Sequence, residues 1–194
     1  MLFRSMYRRR GLQRPAEAVY GALVAQARRP WFYRELGVPD TVEGRFEMIS
    51  LHAFLVLNRL KAARRAGVGR AEDLGQAVFD LMFADMDRNL REMGTGDLGV
   101  AKRVKGLIKG FYGRAKAYED GLAAGRQPLV AAIERNVYGG TAPNGSAGRL
   151  AAYLEDSVTR LEGQAVEALE AGELRFGALG GACAPRDPSA AAVT

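Results

Sequence analysis

Side chains able to do covalent or metal chemistry are scarce in this 194-residue sequence. There is one histidine, His52, and one cysteine, Cys183. Zinc and haem sites draw their ligands largely from those two residue types, so no ligand set can be assembled from them here. A serine or cysteine nucleophile would depend on His52 as its base, and no G-x-S-x-G turn is present. One phosphate-type pattern does occur, Gly94-Thr95-Gly96-Asp97-Leu98-Gly99. A dinucleotide fingerprint follows a strand, whereas a helical pattern precedes Gly94, and Asp97 puts negative charge where a pyrophosphate would sit. These glycines read as a helix–helix turn. No catalytic residue, metal ligand or cofactor is expected, which leaves binding surfaces as the candidate functional features.

Two helical patterns carry residues that are out of place in a simple core. Over residues 71–93 more than half the circumference is apolar, yet Asp85 and Asn89 fall inside that arc one turn apart. Burying them without partners would cost several kcal/mol. The preceding long helix offers Arg45, His52 and Arg59 at a spacing of seven, on one stripe. The two sets are expected to meet in a buried polar seam of Arg45, His52, Arg59, Asp85 and Asn89 that fixes helix register or admits a polar group of a client. Met82, Met86 and Met93 suit either an adaptable surface or core filling.

The helix expected over Asp97–Ala123 has a core face of Val100, Val104, Leu107, Ile108, Phe111, Ala115 and Tyr118. Its other face carries Gly106, Gly110, Gly113 and Ala117, flanked by Lys102, Lys105, Lys109 and Lys116. Each glycine in a helix interior costs roughly 1 kcal/mol relative to alanine. Either a client helix or nucleic-acid backbone lies close to this face, or another helix of the same chain packs there. The run Arg28 to Arg34, with Trp31, Phe32 and Tyr33 between cations, reads as a core anchor or as an interface contact.

These patterns need helices to position them. Abundant Ala, Leu, Arg and Glu with little Ile or Thr favours helix, because unbranched side chains lose little rotamer freedom there. Helices are expected at about 15–28, 40–65, 71–93, 97–123, 128–138 and 146–171, with a short turn at 30–36. Gly37 with Pro39, Gly67 with Gly69, Gly94, and Gly125 with Pro128 are the stops. Asp40-Thr41-Val42-Glu43 resembles a capping box. No strand alternation or internal repeat is apparent. The fold class is all-α, a single-domain orthogonal or irregular bundle of about six to seven helices. A flexible basic arm is expected at 1–14, the helical domain at 15–175 and a Gly/Ala/Pro-rich disordered tail at 176–194.

Charge is uneven. Residues 1–70 hold 14 Lys and Arg against 5 Asp and Glu, whereas residues 71–194 hold 14 against 17. A basic front half suits an anionic surface such as RNA or lipid. One cysteine excludes an internal disulfide, and no apolar run approaches the ~18–20 residues of a membrane span. The arginine-rich start has no apolar region after it of the kind a secretory signal carries.

The wording of several segments resembles the ubiquinol–cytochrome c chaperone family. They are Tyr20 to Tyr33, Gly37 to Met48, Leu51 to Leu57, Phe79 to Gly94, Gly96 to Val100, Lys102 to Val104, and on through Phe111 to Arg114. The resemblance covers about 19–161 and implies a non-enzymatic assembly factor for the cytochrome bc1 complex. Its client would be newly made cytochrome b, held near the ribosomal exit together with a small partner protein. The composition suits a bacterial member, cytoplasmic and peripheral at the inner membrane. On this reading the candidate client surface is Asp85, Met86, Asp87 and Arg88 with Lys102, Gly106, Lys109, Gly110 and Gly113. The competing reading is a ribosome- or nucleic-acid-binding module using the basic arm and the Lys102–Lys116 helix, with DNA not expected as a partner.

Overall fold

A computed structural model describes residues 2–94 and 96–180, with the backbone alone over 2–10 and at 98. The molecule is all-α, with no strand among the described residues. Eight helical segments follow one another: α1 (Leu2–Ala27), α2 (Pro30–Arg34), α3 (Val42–Arg65), α4 (Gly69–Glu92), α5 (Asp97–Ala124), α6 (Arg126–Val137), α7 (Ser146–Glu162) and α8 (Val166–Glu170).

The central element is α3. Every residue from Phe46 to Val56 is buried, as expected of a helix enclosed on all sides. Around it pack α1, α4, α5, α6 and α7. Thr41 caps its start, with Oγ1 accepting from the Gly44 N–H at 3.1 Å. The residue at the Glu position of a capping box is Gly44 itself, so the reciprocal half of the box is absent. A Cβ there would lie 1.9 Å from the Pro39 carbonyl oxygen, which makes the glycine obligatory. Gly37, Gly67, Gly94 and Gly125 all have positive φ and end the helices before them, as expected, whereas Gly69 opens α4 and Pro128 lies in the first turn of α6, where its missing N–H costs nothing.

The α5–α6 pair turns on Gly125 (φ 106°) and closes because Gly121 is bare. A Cβ on Gly121 would meet the Leu129 Cα at 2.8 Å. α1 runs along α4 and α3, burying Leu12, Ala16, Val19, Leu23 and Ala27 at helical spacing.

Three boundaries differ from the sequence reading. α1 starts at Leu2 instead of at Pro15, so most of the expected 1–14 arm is helical and Pro15 lies inside the helix. The break a proline imposes falls on the carbonyl four residues earlier. That residue is Gly11, which is exposed and open to solvent, while burial of Leu12 holds the extra turn to the core. The last long helix divides at Gly163 into α7 and α8, and the N-cap of α7 is Gly145, not Ser146. Finally, the segment 176–180, expected to begin the tail, is fastened to the bundle. Gly177 N–H donates to Ser157 Oγ at 2.8 Å, Ala178 N–H to Asp156 Oδ2 at 3.0 Å, and the Phe176 ring stands edge-on to His52. The remaining tail, with Cys183, lies outside the described residues.

Candidate client-binding face

The expected seam between α3 and α4 does not form, because the stripe bearing Arg45, His52 and Arg59 is turned toward other neighbours. Arg45 is exposed and donates to Asp40 Oδ1 at 2.6 Å, which holds that carboxyl below the usual range. His52 is fully buried. Its Nδ1 lies 2.7 Å from the Met48 carbonyl oxygen, which can only accept, so Nδ1 carries the proton. Nε2 then accepts from the Tyr153 hydroxyl at 2.8 Å, and that oxygen accepts in turn from Gln26 Nε2 at 3.0 Å. Burial pushes the imidazole down to about 4, so it stays neutral at physiological pH. With both ring nitrogens occupied in the core, His52 is structural. Arg59 donates to the Leu161 and Gln164 carbonyls at 2.8 and 2.7 Å, capping the negative end of α7.

On α4, Asp85 accepts from the Tyr20 hydroxyl of α1 at 2.9 Å and pairs with Arg88. Asn89 is half-buried and meets none of the three α3 residues. Spacing of seven correctly put Arg45, His52 and Arg59 on one side of α3. It carried no information about which helix would face them.

The Asp85–Arg88 turn is likewise mostly engaged within the chain. Asp87 is bonded by Arg91, which also reaches Asp97 across the α4–α5 turn. Met86 differs. It lies seven residues from Phe79, so the two share a stripe of α4 that also includes Gly75.

That stripe borders a groove of about 630 Å³ between α3, α4 and α5. Its apolar lining includes Phe54 and Leu57 from α3, Gly75 and Phe79 from α4, and Phe111 from α5. Tyr112 stands at its edge, 59% exposed, and Phe79 packs against Phe83, Phe111 and Tyr112. Charged pairs form the rim: Lys61 with Glu119 at 2.7 Å and Arg64 with Glu72 at 3.0 Å. The volume falls in the range of ordinary ligand and peptide sites. Nothing in the sequence patterns pointed to it, because its aromatic and leucine lining (Phe54, Leu57, Phe79, Phe111) reads as the core stripe of each helix taken alone. The opening arises only where three such stripes diverge.

The glycine face of α5 is open at Gly106 and Gly113, beyond which space is empty, whereas its Ala117 end is partly buried where α6 of the same chain packs on α5. Gly110 is different: a Cβ there would fall 2.5 Å from Arg114 Nη1. The Arg114 guanidinium lies along this part of α5, over the Phe46 ring at 5.6 Å, and grips both carboxylate oxygens of Glu47. Glu47 is 7% exposed, and burial raises its pKa while Arg114 works against that rise. This ion pair was missed in the sequence, although an acid beside the apolar run from Phe46 to Val56 was a signal for one. Lys102 and Lys109 are exposed and make no ion pair among the described residues.

On the opposite side, the expected core face of α5 is correct. Val100, Phe111 and Tyr118 are buried, and Val104, Leu107, Ile108 and Ala115 pack partly against the core. Phe32 is an aromatic anchor as expected, with Trp31 edge-on to it and under the Arg149 guanidinium.

These features define an all-α bundle that carries an open apolar groove and an uncovered glycine-bearing stretch of α5. A sequence model of the ubiquinol–cytochrome C chaperone family matches residues 34–176, and the chain belongs to that family. It is 24% identical over 106 residues to the ubiquinol-cytochrome-c reductase complex assembly factor 1 of Xenopus laevis, a match spanning 55% of this chain and 51% of the frog protein. The mouse protein of the same description is 24% identical over 107 residues, spanning 35% of its own length. The chain therefore aligns with about half or less of these relatives. The crystal structure of the Cbp3 homolog from Brucella abortus superposes with a TM-score of 0.76 at 38% identity, covering 92% of this chain and 98% of that one.

Proposed function

We propose that this protein is a non-enzymatic chaperone that binds newly made cytochrome b and assists assembly of the cytochrome bc1 complex. Family membership supports the assembly role. The observation that carries the binding role is the apolar groove between α3, α4 and α5, edged on α5 by Tyr112, with Met86 two turns beyond Phe79 on the same stripe of α4. A membrane protein not yet packed into its complex exposes apolar helix surface, and burying that surface in a groove is favourable at roughly 25 cal/mol per Å². The open glycine positions of α5 lie across the lysine stripe from the groove and let a second helix approach closely. The client surface thus includes Met86, Gly106 and Gly113, with Lys102 and Lys109 at its border. Asp85, Asp87 and Gly110 hold the surface in place through Tyr20, Arg91 and Arg114. No helix among the described residues is long and apolar enough to cross a membrane, and we infer a location in the bacterial cytoplasm at the surface of the inner membrane.

The test is capture of the tagged chain from its native cells with identification of what it retains by mass spectrometry. Enrichment of cytochrome b is the expected result. Recovery of ribosomal RNA and proteins without cytochrome b would favour the ribosome-binding reading instead.

A further inference from the structure

From Leu98 to Tyr118 the chain has no acidic residue and carries Lys102, Arg103, Lys105, Lys109, Arg114 and Lys116. Of these cations, Arg114 is answered within the fold by Glu47 and Lys116 by Asp120, and Arg103 is engaged as well. Lys102, Lys105 and Lys109 are exposed and unpaired among the described residues. At 100° per residue they fall within about 60° of one another around α5. Gly106 and Gly113 continue the stripe on one side, with open space above them. Tyr112 flanks it on the other, 59% exposed, and Met93 at the α4–α5 turn is 56% exposed. Tyr112, one of the most exposed large apolar side chains, therefore stands beside the cationic stripe of α5 that is unpaired among the described residues.

We propose that this stripe, Lys102, Lys105 and Lys109 with Tyr112 at its edge, is a docking face for an anionic phospholipid bilayer. Charge complementarity supplies the attraction, which acts on juxtamembrane lysines near an anionic leaflet. The bare glycines remove the ridges that side chains would raise, so the helix can lie against a flat surface. Lysine stems and the tyrosine ring bury apolar length at such an interface while keeping their polar ends wet. The stripe presents compact ammonium groups and lacks the planar guanidinium fork that suits bidentate phosphate recognition in nucleic acids. Its geometry also has a consequence for the groove, which shares Tyr112 and Lys116 with this side of α5. With α5 against the bilayer, the groove opens beside the lipid, where an apolar client segment would enter. The inference deepens the location proposed above and rests on it only in putting the protein next to a membrane.

The experiment is co-sedimentation of the full chain with vesicles of phosphatidylcholine, alone or mixed with phosphatidylglycerol. The wild type is expected to bind the mixed vesicles, to bind neutral ones weakly, and to be released by added salt. Neutralising each lysine (K102Q, K105Q, K109Q) is expected to lower partitioning about five-fold, and the triple variant on the order of a hundred-fold. The three side chains are exposed and make no ion pair among the described residues, and circular dichroism checks that the helices persist. Should the triple variant not fold, the three single variants carry the test. Equal partitioning of wild type and variants would overturn the proposal, as would equal binding to neutral vesicles. Loss of RNA retention by the triple variant, with vesicle binding intact, would also overturn it and assign the stripe to nucleic acid. The vesicles contain no client, so failure here leaves the capture of cytochrome b from cells as a separate result.

Discussion

The two flanks of α3 differ in how they treat polar and apolar surface. Toward α7, buried polar groups are answered inside the chain: His52 by Met48 and Tyr153, Tyr153 by Gln26, Arg59 by the carbonyls that end α7. The segment after α8 closes over that flank through Phe176, Gly177 and Ala178. Toward α4 and α5, aromatic rings line an open groove and three lysines face outward, unpaired among the described residues. The first flank has spent its interactions on holding the fold. The second keeps apolar area and charge available to something else, as a chaperone needs of the side it presents to a client.

Breaking the first flank is expected to have the largest effect on stability. Phe32 is fully buried and edge-on to Trp31, His52 and Tyr153. Phe32→Ala should cost about 3–5 kcal/mol, measured by urea denaturation. A loss under 1 kcal/mol would mean the aromatic cluster does not organise that flank.

The ion pair joining the two sides comes next. Arg114→Met leaves Glu47 buried without its cation and should cost about 3 kcal/mol, the low end for a buried pair because Arg114 keeps a quarter of its side chain in solvent. The double variant Arg114→Met with Glu47→Gln should recover part of that loss. If the double variant is less stable than the single one, the pair is not the reason.

His52 gives the first flank a pH signature of comparable size. Its folded pKa, about 4, lies below the usual 6.5, so between those values the unfolded chain binds more protons. Stability attributable to His52 is complete above pH 6.5 and is lost as pH falls toward 4, by roughly 3 kcal/mol. Glu47 opposes this slope, since its raised pKa favours the folded state at low pH. A His52→Gln variant should show a flatter urea midpoint between pH 6.5 and 4 than the wild type. An unchanged slope in that variant would assign the acid sensitivity to other groups.

The smallest expected effect on stability falls on the open flank. A Cβ at Gly75 would meet Leu57 and Leu60 only at ordinary contact distances, 3.7 and 3.8 Å. Gly75→Leu should therefore fold normally, gaining up to about 1 kcal/mol from helix propensity, while its side chain fills the groove. By contrast, Gly110→Leu is a poor probe of the outer face, because it would displace Arg114 from Glu47.

Much of the architecture was legible in the sequence. Gly37, Gly67, Gly94 and Gly125 marked true helix ends because only a left-handed residue continues the chain there. The core stripe of α5 followed from its 3.6-residue period. What the sequence did not contain was the identity of each neighbour. Arg45, His52 and Arg59 lie on one side of α3, yet they bond to Asp40, Tyr153 and the end of α7, and Asp85 to Tyr20. The groove was invisible for the same reason, as it belongs to no single helix. Of the candidate client residues, Lys102, Gly106, Lys109 and Gly113 lie on an uncovered face, while Asp85, Asp87 and Gly110 are occupied inside the fold.

The most direct test of the account compares the wild type with Gly75→Leu in capture of cytochrome b from native cells at matched protein levels. The account predicts cytochrome b with the wild type and little with the variant, at equal or higher thermal stability of the variant. Equal capture by both would contradict it, because a client held elsewhere on the surface would not sense a filled groove.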